Sequence, residues 1–260
     1  IYNALRSSQS SSPYYNKSTD AYCYIGTEKP NHDVVIVGWD DSYSKDNFNT
    51  DLEGDGAFIC QNSWGDNFGE NGFFYISYYD TNIGTHNVVY TDIENTDNYD
   101  HIYQSDLCGW VGQLGYNKDS IYGANVFTAE GNENLKAASF YATGKDSQYE
   151  LYVVRQFEDE TSLEKMIPVA SGKLGNAGYY TVDFNQGIEV DAGERYAVVL
   201  YIITPGSVHP MAIEYAADEA TENVDLDDGE SYISANGSKW VSVDTVEKSN
   251  LCIKAFSDNR

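Results

Sequence analysis

A histidine stands at the mouth of an apolar run in "NHDVVIVGWDD", residues 31 to 41, and an asparagine closes another run in "CQNSWGDNFGENGFFYIS", residues 60 to 77. An imidazole that moves protons near neutral pH needs one ring nitrogen held, so that the other faces the reaction. An amide oxygen can hold it by accepting the ring N–H, and it adds no charge as a carboxylate would. On this reading His32 is a general base and later an acid, and Asn62 orients it. Trp64 screens their hydrogen bond from water, which strengthens it in a lower local dielectric. Taken singly, His32 would be a structural histidine. The second stretch, with Ser-Trp-Gly and a glycine-rich loop after Asn62, turns the reading towards chemistry.

A nucleophile is harder to find. The cysteines stand at 23, 60, 108 and 252. Cys60 is two residues from Asn62 and so on the same strand face, but a strand offers no helix dipole to stabilise a thiolate. It reads as a core residue, as does Cys23 in "AYCYIG". No C-x-x-C spacing suggests zinc. Cys108 and Cys252 could be bridged, although four small buried hydrophobes is the reading preferred here.

Three apolar segments must position His32 and Asn62: "DVVIVGW" (33–39), "GAFICQN" (56–62) and "GFFYISYY" (72–79). The first is continuous rather than alternating, which predicts a strand covered on both faces. The acidic "DLEGDG" (51–56) imitates the start of an EF-hand loop, but its twelfth position is Asn62, where a bidentate Glu is needed. The stretch 40–56 is therefore expected to be a solvated hairpin connection. The polar "DIENTDNYD" (92–100) reads as a linker. Beyond it lie short strands separated by turn residues, among them "LKAASFYAT", "YELYVVRQF" and "ERYAVVLYII", the pattern of an antiparallel sandwich.

Composition narrows the partners. Fifteen basic against 41 acidic residues give a net charge of −26, which repels nucleic acid and anionic lipid. No apolar stretch approaches the roughly 18 residues of a membrane span. The charge and the tyrosine content suit a secreted protein. Spare carboxylates, densest in "ENVDLDDGES" (222–231), leave room for Ca²⁺ as a structural ion, with a surface loop as the plainer alternative. The opening "IYNALRSSQS" has no initiator Met, basic n-region or signal h-region. Residue 1 is accordingly expected to be a cut inside a longer polypeptide.

The two quoted motifs, in this order and spacing, resemble the His and Asn motifs of papain-like cysteine peptidases, over roughly residues 1 to 95. The resemblance implies that His32 and Asn62 are catalytic, with Trp64 supporting, and that no cofactor is required. It also implies a nucleophilic Cys and an oxyanion-binding Gln more than a hundred residues upstream of the His. Both lie outside this sequence, so the fragment alone should be inactive. The residue after the His lines the pocket for the substrate side chain two positions before the cut. Asp33 occupies that place and would favour a basic side chain, or is solvated and without effect. Phe68 stands where related enzymes often carry a tryptophan on the leaving-group side, and keeps an aromatic wall.

The ordered set from "YQSDLCGW" to "NLCIKAF" resembles the lectin-like domain found after bacterial cell-surface papain-like peptidases. Trp110, Trp240 and Tyr232 could stack on a sugar, but large inward residues are what a sandwich core needs, and no binding residue is assigned there. The expected fold class is thus mainly β. The β-barrel-like C-terminal half of a papain-like (α+β) peptidase, residues 1–95, precedes a lectin-like, jelly-roll-like antiparallel β-sandwich, residues 96–260. The expected function is peptide-bond hydrolysis by the parent protein, outside a bacterial cell or on its surface. Expected partners are a protein or peptide substrate, cell-wall or host carbohydrate, and the N-terminal part of the same peptidase. The competing reading is a non-catalytic carbohydrate-binding or adhesion module carrying a peptidase remnant.

Overall fold

The structure is a computed structural model that describes residues 1–2, 12–85, 87–227, 229–243 and 247–260. Residues 3–10 of the opening stretch and Asp228 of the carboxylate run lie outside the described residues. The chain divides into two compact units, Ile1–Tyr90 and Thr91–Arg260.

The first unit is built on one five-stranded sheet. Its strands are β1 (Tyr15–Asn16), β2 (Ala21–Tyr22), β3 (Val35–Asp40), β4 (Ala57–Gln61) and β5 (Phe73–Ser77), in the order β1-β2-β5-β4-β3. All neighbours run antiparallel except β2 and β5. One core cluster gathers Tyr22, Tyr24, Cys60, Phe74 and Ile76. A second gathers Ala21, Cys23, Phe48, Leu52 and Ala57.

Two expectations fail here. Strand β3 is not covered on both faces: it is the sheet edge, and Val35, Ile36, Val37 and Trp39 are all exposed, Trp39 at 68%. A β-bulge between Ile36 and Gly38 re-aims the residues around it, but β-branched residues at an edge give the same apolar signature as a buried strand. The connection 40–56 is not merely solvated either. A 3₁₀ turn at Lys45–Asn47 delivers Phe48 and Leu52 into the core, and the Lys45 ammonium donates to the Leu52 carbonyl (3.1 Å). Two apolar anchors inside a polar run pin the loop, while the rest of 41–55 stays exposed or half-buried.

The second unit adds β6 (His101–Tyr103), β7 (Gly112–Leu114), β8 (Ser120–Thr128), β9 (Glu133–Ala142), β10 (Ser147–Val154), β11 (Ile167–Leu174) and β12 (Gly178–Val190). It continues through β13 (Arg195–Ile203), β14 (Met211–Glu214), β15 (Ser231–Ser234), β16 (Val241–Ser242), β17 (Asn250–Leu251) and β18 (Ile253–Asn259). These make a six-stranded sheet, β11-β10-β13-β8-β15-β16, a four-stranded sheet, β12-β9-β18-β6, and a three-stranded one, β17-β14-β7. Alternate residues explain the sandwich. Val198, Leu200 and Ile202 of β13 point to the same core as Ala138 and Phe140 of β9 and Ile253 and Ala255 of β18, as period-2 strands require.

One buried charge in this unit is tied down by hydrogen bonds. The Glu133 carboxylate accepts from the Tyr103 hydroxyl (2.7 Å), the Ser257 hydroxyl (2.5 Å) and the Gly131 amide (2.8 Å). These bonds hold its pKa below the usual range despite an opposing desolvation penalty. The four cysteines are free thiols; Cys108 is exposed and the other three are buried. The bridge between Cys108 and Cys252 is therefore absent, and Cys108 is not the buried hydrophobe expected.

Candidate active site

Strand pairing alone brings His32 and Asn62 together. In the antiparallel register of β3 and β4, Val35 lies opposite Gln61. The residues entering β3 thus meet those leaving β4, and the side chains thirty positions apart make a hydrogen bond, His32 Nε2 to Asn62 Oδ1 at 2.8 Å.

The bond is set from both sides. The Ser63 amide donates to the same Asn62 oxygen (2.8 Å). A backbone N–H can only donate, so the atom it meets is the carbonyl oxygen, and the imidazole nitrogen facing that oxygen must carry the hydrogen. Nε2 is thereby the donor, and Nδ1, which makes no hydrogen bond among the described residues, is left to exchange a proton. The Asn62 amide donates to the Gly72 carbonyl (2.9 Å), and its side chain is buried. Gly72 has φ of 91° and Gly69 φ of 56°. A Cβ at Gly69 would sit 2.1 Å from the Phe73 carbonyl oxygen, so this loop closes only with glycine there.

Trp64 covers the pair. Its ring centroid is 5.1 Å from that of His32 with 30° between planes, while 41% of the residue remains exposed. Phe68 is half-buried and meets Trp64 edge-on at 4.9 Å. Asp33 is exposed, and its carboxylate makes no hydrogen bond or ion pair among the described residues. Sequence reasoning missed Tyr15, whose ring stacks on Phe68 at 5.3 Å; nothing in its local sequence marks it.

No local thiol is poised to react. Burial pushes the Cys60 thiol up to about 12 and that of Cys23 up to about 11, the reverse of what a nucleophilic thiolate requires. Among the described residues, no group of three or more His, Cys, Asp or Glu side chains is arranged for a metal.

In the second unit Trp110 packs against Tyr141 at 5.9 Å and Tyr232 against Phe157 at 5.8 Å. Trp240 is half-buried edge-on to Tyr122.

Residues 102–257 match the lectin-like domain family. The chain belongs to that family. Residues 3–93 match the papain family of cysteine proteases, so a papain-family segment precedes the lectin-like domain. The mainly β architecture has solved counterparts. The clostridial cysteine protease Cwp84, after propeptide cleavage, is 29% identical with a TM-score of 0.79, covering 95% of this chain and 63% of that one. The cysteine protease and lectin-like domains of Cwp84, a surface-layer-associated protein of Clostridium difficile, are 27% identical with a TM-score of 0.76. That match covers 95% of this chain and 56% of that one. The chain thus spans less than two thirds of each. No curated protein matches it. No helix among the described residues is long and apolar enough to cross a membrane.

Proposed function

We propose that the chain is the His- and Asn-bearing portion of a bacterial papain-like cysteine endopeptidase, secreted or held at the cell surface. The carrying observation is the 2.8 Å bond from His32 to Asn62 under the Trp64 ring. A thiolate and an oxyanion-binding Gln from chain upstream of residue 1 complete the arrangement. The thiolate attacks the peptide carbonyl, and the oxyanion collapses as the proton on His32 Nδ1 passes to the leaving amine. Water then gives a proton to Nδ1 and its oxygen to the acyl carbon. Collapse releases the carboxylic acid, which loses its proton to solvent, and restores the thiolate–imidazolium pair. Throughout, Nε2–H stays on Asn62, so the ring turns neither way between the two transfers.

The exposed apolar residues of β3 support an upstream segment as partner, because an uncovered face of this kind marks a surface that another chain or segment closes. Asp33, free of internal partners, would select a basic side chain two positions before the cut, and Phe68 would wall the leaving-group side. The test is the full-length parent. A thiol-directed peptidyl inhibitor should label it once and abolish hydrolysis, and His32→Ala should be inactive while still folded. A parent with Ser or Gly in place of the upstream Cys would remove the peptidase reading. Indifference of the parent to Lys or Arg at the second position would remove the role of Asp33.

A second reading is favoured by the extent of the lectin-like domain: a carbohydrate-binding or adhesion module, acting with the peptidase or without it. Glycan-array binding by this chain, unchanged by His32→Ala, would support it, and an empty array would count against it.

Ca²⁺ remains a structural proposal for the second unit. The buried Glu214 carboxylate and the carbonyl oxygens of Ser105 and Asp225 all lie within 3.2 Å of the Asn250 side-chain amide nitrogen. They border a pocket of about 260 Å³. These oxygens accept from the Asn250 side-chain amide, a donor that already fills the place where they converge, so Ca²⁺ would have to be held instead by the carboxylates of the run 222–231. Metal analysis should find Ca²⁺, and chelation should lower the melting temperature; a chelator without effect ends the proposal.

A further inference from the structure

The column of rings behind the catalytic pair does not end at Trp64. Trp64 lies over His32 at 5.1 Å, Phe68 meets Trp64 edge-on at 4.9 Å and 83°, and Tyr15 stacks on Phe68 at 5.3 Å and 22°. Tyr15 is the fixed end. Its hydroxyl donates to Asp20 (2.7 Å), its carbonyl accepts from the Asn49 side chain (3.1 Å), and its backbone pairs with Tyr22 across the hairpin of β1 and β2. The buried Phe74 closes on Phe68 from the side at 5.3 Å.

Tyr15 and Asn62 also share a wall. Both line a pocket of about 20 Å³, together with Tyr22, Trp64, Phe68 and Phe74. That is room for roughly one water. Five aromatic side chains make most of its wall and Ile1 and Ser12 complete it, so a water there would find few polar partners besides Ser12 and Asn62. Removing the Tyr15 ring would enlarge the space and let Phe68, and with it Trp64, fall back.

We infer that Tyr15 is a positioning residue for the His32 imidazole. It acts through Phe68 and Trp64, and keeps water away from the His32–Asn62 hydrogen bond. Its role in water exclusion stands on the geometry of this unit; its importance for turnover rests on the peptidase reading. It touches neither the imidazole nor a substrate, and nothing in the histidine and asparagine motifs includes it.

The direct readout is the His32 Nε2 proton of this 260-residue chain, followed by NMR. A hydrogen bond shut off from water exchanges its proton slowly. Tyr15→Leu should speed that exchange roughly 10-fold or more, while the amide of Ile76, buried in the same unit, is unchanged. Tyr15→Phe, which keeps the ring and loses the bond to Asp20, should stay close to the native rate. Phe68→Leu should reproduce the Leu effect, and serves in its place should Tyr15→Leu fail to fold. Native exchange in both Leu variants, or equal acceleration in Tyr15→Phe, overturns the proposal. In the full-length parent, Tyr15→Leu should lower kcat with little change in KM, and Tyr15→Phe should retain both. An inactive wild-type parent beside the expected exchange results would remove the peptidase reading and leave the water shield standing.

Discussion

Asn62 spends one oxygen on two donors, the Ser63 amide and the His32 ring. Replacing it with Ala leaves the ring without its acceptor and leaves the Ser63 amide to find water. A hydrogen bond with a charged partner is worth about 1.5–3 kcal/mol, so Asn62→Ala in the full-length parent should lower kcat/KM by roughly 10- to 150-fold. The loss should fall mainly on kcat, as stopped or continuous peptide assays will show. An unchanged kcat would mean that the ring is held by something else. A second residue gives a pH signature. Burial raises the Asp106 carboxyl to about 6 from its ordinary 3.8, and Lys254, with its ammonium 3.4 Å away, only partly opposes this. The folded state then binds this proton more tightly than the unfolded one. The contribution vanishes below about pH 4 and grows unfavourable as pH rises to about 6, reaching at most roughly 3 kcal/mol. Asp106→Asn should flatten that fall when chemical unfolding is followed at pH 4 and pH 7. A native-like pH slope in the variant would show that other groups carry it. The His32–Asn62 contact was legible because residue type and order both constrain it. Tyr15 was not, since a stack on Phe68 leaves no periodic mark.

Strand β3 shows why an element can be found in sequence and still be misplaced. The segment 33–39 was recognised as a strand, which the structure forms over Val35–Asp40, but continuous apolar character cannot distinguish a central strand from an edge awaiting a partner. The loop that follows is the hairpin connection expected, but its two buried anchors, Phe48 and Leu52, were hidden among Asn, Asp and Ser. Turn signals between short apolar runs served better in the second unit, where β8 and β10 pair with β13, and β9 with β12, in long antiparallel registers. An exposed apolar edge is a template for self-association. Val35→Lys with Trp39→Lys should therefore reduce light scattering by concentrated solutions of the chain severalfold, while changing unfolding free energy by no more than about 0.5 kcal/mol each. Both side chains are already exposed, at 60% and 68%, so little burial is lost. Undiminished association would place the sticky surface elsewhere.

On the scale of the whole molecule, the two units have separate cores, and none of the four cysteines carries a thiol tuned for attack. Cys23 and Cys60 are buried with raised thiol pKa values, and Cys252 is raised further by burial among Asp106 and Glu214. Cys108 is exposed, but desolvation and the Glu214 carboxylate both disfavour its thiolate. A net charge of −26 adds a long-range field that opposes any thiolate. On the proposed reading, the histidine works with a thiol that none of these four cysteines provides. Treated with a thiol-directed peptidyl inhibitor at neutral pH, the chain should keep its intact mass and cleave no peptide, whereas the full-length parent should gain a single adduct upstream of residue 1. An adduct mapped to Cys60 or Cys23, or hydrolysis by the chain alone, would place the nucleophile within these 260 residues and undo the division of labour argued from thiol burial.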